Sequence, residues 1–290
     1  MTTHALTVRH GSSLAAGIWR VADPKITLAS VASMLVGASA AAWHGPIAWG
    51  WLVLTVLGIF CVEAAKNASG EIFDWDSGAD QGVRDDERSP FSGGKRVIVD
   101  GLLTRAETAI VAAGFYAIAV AIGLLVVVLR EPGVFWLGVA GVALAFFYHA
   151  PPLRLAYRGL GELAVAIAYG PVIALGTYLV QRHTLDTHAL TASLPLALAV
   201  GAFLWINEFP DARADAAAGK RTLVVRLGRP RAARVFAAII AVAYLGVLAL
   251  PFAGLPWTVW LGLAGVPHGL AAAHRLVRHP EAIRHIVPAQ

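Results

Sequence analysis

The chain has 290 residues, of which 58% are hydrophobic and 14% charged, and its mean hydropathy is +0.67. A soluble globule needs a more polar surface than this. At about 20 residues per membrane-crossing helix, the length accommodates roughly eight or nine crossings and little mass outside the bilayer. The net charge of +5 in such a chain reports topology before it reports a partner, and no nucleic-acid ligand is expected. The single cysteine, Cys61, excludes an internal disulfide and a CxxC metal site. It reads as a small core residue. The stretch Met1 to Gly11 lacks an apolar core and a small-residue cleavage site, so the first span is expected to act as the signal.

Apolar segments fall at about 26–43, 47–73, 105–129, 133–149, 160–181, 188–209, 231–252 and 255–274. Runs near 20 residues predict α-helices, because barrel strands would alternate over about ten residues. The expected fold is all-α: one domain, 1–290, a polytopic membrane bundle of eight transmembrane helices in two four-helix halves. Small residues such as Gly37, Ala38, Gly138 and Gly141 favour close helix approach in lipid.

With the N-terminus inside, only Arg130 and Arg182 of the 23 basic residues face outward. The inner set includes Arg20, Lys25, Arg84, Arg88, Arg213, Arg226, Arg275 and Arg284. This bias predicts a cytoplasmic (inner) membrane protein whose termini and long loops, about 74–104, 150–159 and 210–230, are cytoplasmic.

Two acidic clusters end the second and sixth spans. In the first, Asn67, Glu71 and Asp74 share a helical face, and Asp76 and Asp80 follow. In the second, Asn207, Asp211 and Asp215 share a face, and Pro210 predicts a kink or break. Acids near hydrocarbon cost about 2.5–3.5 kcal/mol each, so something positive must offset them. Two carboxylate sets facing one cavity could hold Mg²⁺, a hard cation that bridges protein carboxylates to substrate phosphates. Lys95, Arg96, Arg154, Arg158, Lys220 and Arg221 lie on the same side, where they could contact those phosphates. Together these are the parts that bind and ionise a diphosphate. After the fourth span come Tyr148, His149, Arg154, Tyr157 and Arg158. The tyrosines read either as interfacial belt residues or as an aromatic face that stabilises a carbocation. His149 is not expected to bind metal, because no second histidine stands at a ligand spacing.

At these residues the sequence resembles the UbiA family of membrane prenyltransferases. Gly70-Glu71-Ile72-Phe73-Asp74, extended to Asp80, matches the family's first aspartate-rich motif, and Asp211-Ala212-Arg213-Ala214-Asp215 its second. The interval to Asp80 and the stretches Tyr157–Glu162 and Gly219–Gly228 are similar to the branch that prenylates 1,4-dihydroxy-2-naphthoate for menaquinone. Gly70 stands where the family usually has Asn, and Glu71 where it has Asp, so Asn67 is a candidate for the missing amide contact. The family usually has nine spans.

The resemblance implies intramembrane prenyl transfer. Glu71, Asp74, Asp80, Asp211 and Asp215 would hold Mg²⁺ on a polyprenyl diphosphate, and Asn67, Asn207, Lys95, Arg96, Arg154, Arg158, Lys220 and Arg221 would bind the diphosphate. Tyr148 would shield the allylic cation while an aromatic acceptor attacks, and a carboxylate among Asp74, Asp211 and Asp215 would remove the ring proton. A terpene cyclase of the same fold would keep the first step and dispense with the acceptor. A transporter would place its acids near the midplane, whereas both clusters here sit at one face. Oligomeric state is not legible.

Overall fold

The computed structural model describes residues 11–23, 27–89, 91 and 93–286; Lys25 and Met1–His10 lie outside the described residues. Among the described residues every regular element is helical. Helix α1 (Gly11–Ala22) precedes α2 (Thr27–Trp43), α3 (Trp49–Ser77), α4 (Arg105–Leu129) and α5 (Val134–Phe147). Then come α6 (Gly161–Ile167), a π-helical turn (Ala168–Val172), α7 (Ile173–Arg182) and α8 (Thr187–Ala217). The chain ends with α9 (Leu223–Leu227), α10 (Arg229–Ala249), α11 (Val266–Arg278) and the short α12 (Ile283–Ile286).

Each of the eight apolar segments coincides with helical structure, but they are not eight equal spans. Among the described residues five helices are long and apolar enough to cross a membrane: Trp49–Ser77, Arg105–Leu129, Gly161–Arg182, Thr187–Ala217 and Arg229–Ala253. A sixth results if α1 and α2 count as one bent span. Helix α5 has 14 residues, and the last apolar segment divides into a 3₁₀ stretch, Trp257–Gly265, and α11. Gly262, Gly265 and Pro267 explain the division, since they are poor interior residues for an α-helix. Large apolar side chains turned outward, among them Trp19, Val128 and Trp136, each at least 70% exposed, suit a lipid-facing surface. The protein is an integral membrane protein.

Two boundaries differ from the sequence reading. Helix α3 runs on to Ser77, four residues past the expected apolar end, because its last acids have partners: Arg105 donates to both oxygens of Asp76, at 2.9 and 2.7 Å. Of the kink or break expected at Pro210, no break occurs: helix α8 continues through it to Ala217. Packing supports that stretch. Phe209 is fully buried with Trp205, Phe236 and Leu276, and its carbonyl accepts two hydrogen bonds from the Arg229 guanidinium.

The small-residue expectation is met at Gly37, where α2 approaches the Ala174 carbonyl of α7 so closely that a β-carbon would overlap it. In the Gly161–Arg182 span, Pro171 interrupts the hydrogen-bond ladder, and the π-turn absorbs the missing bond. Helix α3 packs along α4, and α8 along α10. The ends of α3 and α8 thereby come to one end of the bundle, where the turn Leu155–Arg158 and the segments 78–104 and 218–222 meet them.

Candidate active site

The last turn of α3 presents Asp74, 6% exposed, to two donors and an imidazole from distant parts of the chain. The Tyr157 hydroxyl donates to Asp74 Oδ1 at 2.7 Å, and Lys220 Nζ donates to Oδ2 at 3.2 Å. His149 Nε2 stands 3.6 Å from the same oxygen. Lys220 also lies 3.7 Å from Asp215 Oδ1. One ammonium therefore joins the acidic end of α3 to that of α8. Burial alone would weaken this charge, but Asp215 and Asp74 hold the Lys220 pKa well above its ordinary value.

Glu71 uses both oxygens to organise the loop after α3, accepting from the backbone N–H groups of Lys95 and, at 2.8 Å, Val97. Asp80 faces Asp74, Glu71 and Asp211. Burial, followed by the charges of Asp74 and Glu71, pushes its pKa up to about 9. Gly94 fits between these acids: it has φ +66°, and a β-carbon there would stand 2.7–2.8 Å from oxygens of Asp80 and Glu71. Asp211 accepts from the Gly93 N–H at 2.8 Å through Oδ2, while its Oδ1 is buried without a partner, as is Asn207 Oδ1.

The other residues expected to bind phosphate are differently engaged. Lys95 pairs with Asp23. Arg96 donates to the Asp80 carbonyl at 2.9 Å and lies 3.4 Å from Asp100. Arg154 stacks over the Tyr157 ring, 4.0 Å from its centroid, with Nε buried and unpartnered. Arg158 is exposed and donates to the Pro152 carbonyl. The Arg221 side chain is exposed; its backbone N–H donates to the Tyr157 carbonyl. Asn67 is turned toward α1, where its amide donates to the Val21 carbonyl at 2.9 Å.

Sequence reasoning missed two direct neighbours of Asp74. By spacing alone Tyr157 is one of two interfacial or cation-shielding aromatics, and His149 lacks a second histidine at a ligand spacing. Tyr148, the expected cation shield, sits one ring farther back, edge-on to His149 with centroids 4.7 Å apart. Glu162, also not singled out as a site residue, accepts from the Leu223 N–H at 2.7 Å and anchors the loop that carries Lys220.

The donor set is hard oxygen, with an orphaned buried carboxylate oxygen on Asp211, and so it fits Mg²⁺. Among the described residues no three such side chains converge tightly enough to enclose a metal by themselves, as suits a cation that shares its shell with phosphate oxygens. Beneath the acids, a cavity of about 540 Å³ opens between α3, α4, α5 and the α6–α7 span. Apolar side chains including Val62, Ile122, Leu144 and Phe147 line it.

Residues 30–285 match the UbiA prenyltransferase family. The chain belongs to that family. This UbiA-family chain is 30% identical over 270 residues to the 1,4-dihydroxy-2-naphthoate octaprenyltransferase of Mycobacterium tuberculosis, covering 92% of this chain and 88% of the relative. It is 25% identical over 272 residues to the Bacillus subtilis protein of the same name, covering 93% and 85%. With the 2-carboxy-1,4-naphthoquinone phytyltransferase of Synechocystis it shares 28% over 274 residues, covering 90% and 82%. In fold it resembles a UbiA homolog from Archaeoglobus fulgidus bound to GPP and Mg²⁺, with a TM-score of 0.67 at 14% identity over 94% of this chain and 98% of that one. This UbiA-family protein is a prenyltransferase.

Proposed function

We propose that this enzyme transfers a polyprenyl group from its diphosphate to an aromatic acceptor of the 1,4-dihydroxy-2-naphthoate type. Its relatives' names, naphthoate octaprenyltransferases and a naphthoquinone phytyltransferase, support this acceptor class. The observation that carries the reading is the Lys220 ammonium between Asp74 and Asp215: two acidic motifs far apart in sequence address one polar centre above an apolar cavity. We also propose eight crossings of the inner membrane in two four-helix halves, with the termini and the site on the cytoplasmic side.

Glu71, Asp74, Asp80, Asp211 and Asp215 would hold Mg²⁺, which when bound supplies charge neutralisation for the departing diphosphate. Lys220 and Arg154 grip phosphate oxygens, the first from between the motifs and the second from its stack on Tyr157. Tyr157 and Lys220 fix the Asp74 carboxylate, so the site is arranged before substrate arrives. The C–O bond of the donor breaks, the diphosphate takes the electron pair, and the allylic cation is left near Tyr148, whose ring favours positive charge. The aromatic acceptor attacks, and a carboxylate of the site takes the displaced ring proton. The apolar walls below and the loop 78–104 above keep water from the cation.

The test is transfer of labelled prenyl groups in membranes with Mg²⁺ and a dihydroxynaphthoate acceptor. Asp74→Ala and Asp211→Ala are each expected to lower the rate on the order of 100-fold or more. Near-normal transfer in both overturns the metal assignment. Cyclic hydrocarbon or alcohol from donor alone overturns the acceptor.

A further inference from the structure

The cavity wall carries a charged pair that the reaction scheme leaves unused. Glu63 and Lys66 line it together with Tyr148 and Tyr169. Glu63 is 5% exposed; the Tyr169 hydroxyl faces it, but no donor stands within hydrogen-bond geometry of either carboxylate oxygen. Three residues apart on α3, Glu63 and Lys66 share a face, yet the carboxylate does not close on the ammonium. Lys66 Nζ instead stands over the Tyr148 ring, 5.9 Å from its centroid. The topological count placed Lys66 with the cytoplasmic charges, but it lies inside the span, where both groups are costly unless something answers them.

A hydrocarbon tail satisfies neither group. A flat apolar body with an anionic group at one position and a hydroxyl at a neighbouring one satisfies both. We propose that Glu63 and Lys66 bind the polar edge of the aromatic acceptor, an aryl carboxylic acid with a ring hydroxyl, the carboxylate on Lys66 and the hydroxyl donating to Glu63.

The position suits the reaction. Lys66 precedes Asp74 by two helical turns on α3, a rise of about 12 Å. Between them lie the Tyr148 ring and, edge-on to it, His149, 3.6 Å from Asp74. A ring held at Lys66 therefore lies along Tyr148, next to the place where the donor's first carbon is released from the diphosphate. Donation of its hydroxyl to Glu63 makes the ring more electron-rich and a better nucleophile. The inference rests on the aromatic-acceptor reading and refines it by naming the residues that select an acid.

The test separates the two. Purified protein in lipid nanodiscs is titrated by fluorescence with 1-hydroxy-2-naphthoate, its carboxamide and its methyl ether, without donor. Lys66→Gln is expected to weaken the acid at least about tenfold and leave the carboxamide unchanged. Glu63→Gln is expected to weaken the hydroxy acid and leave the methyl ether unchanged. Lys66→Arg retains binding, and all three variants retain wild-type affinity for a prenyl diphosphate with Mg²⁺. Unchanged acid binding in Lys66→Gln and Glu63→Gln overturns the inference, and so does equal loss of donor affinity. Absence of prenylated acceptor when a prenyl diphosphate and Mg²⁺ are then added to the wild type, with Lys66-dependent acid binding intact, overturns the aromatic-acceptor reading and leaves the site standing.

Discussion

The imidazole of His149 occupies the space that a side chain at Gly70 would take. A β-carbon on Gly70 would stand 2.7 Å from Cε1 and 2.9 Å from Nδ1 of that ring. From there Nε2 reaches to 3.6 Å from Asp74 Oδ2. The motif position that carries Asn in the resembling family is thus filled from another helix end.

Gly70→Asn alone is therefore expected to displace His149 and lose stability, by about 1–3 kcal/mol as overpacked cores do, with activity falling at least about tenfold. His149→Thr in the same chain makes room for the amide, so the double variant is expected to recover both. Thermal unfolding in detergent and prenyl-transfer rates for the two single variants and the double variant check this. Additive losses in the double variant would show that the residues act independently.

The gap between sequence and structure follows from what spacing can and cannot encode. The apolar segments and the two acidic helix ends were legible because burial in lipid and helical periodicity act along the chain. The contacts that give each acid its task were not legible, because they come from elsewhere: Tyr157 and Lys220 on Asp74, and Lys95 and Val97 on Glu71. Asn67 shares the face of Glu71 by spacing, but its amide finds Val21 on α1. The last turn of α3, closed by the left-handed Gly78, holds Asp76 against Arg105, 29 residues away.

Lys220 is expected to remain an ammonium throughout the working pH range. Its pKa is raised in the folded protein, so its contribution is fully present below the ordinary lysine value of about 10.4 and is lost only as pH rises past the still higher folded value. The pH–rate profile should carry no alkaline limb from this residue below about pH 10. Lys220→Met leaves Asp74 and Asp215 without their shared cation. Transfer is expected to drop on the order of 100-fold, with a higher KM for the prenyl diphosphate. Steady-state kinetics at several pH values measure both effects, and an alkaline limb near pH 8 that vanishes in Lys220→Met would contradict the assignment.

Gly94 separates backbone strain from crowding. Gly94→Ala places a methyl group at φ +66° and within 2.8 Å of oxygens on both Asp80 and Glu71. Gly219, at φ +75° and with nothing within 4 Å of a β-carbon, is the matched control. Both substitutions carry the left-handed penalty of about 1–2 kcal/mol, and Gly94→Ala is expected to shift thermal unfolding further because it adds the clash. Only Gly94→Ala pushes the two carboxylates apart, so only it is expected to raise the Mg²⁺ concentration needed for half-maximal transfer, by about tenfold or more. Equal Mg²⁺ dependence in the two variants would mean that Asp80 and Glu71 do not act on the metal, and that the loop 93–97 uses them only as anchors for its backbone.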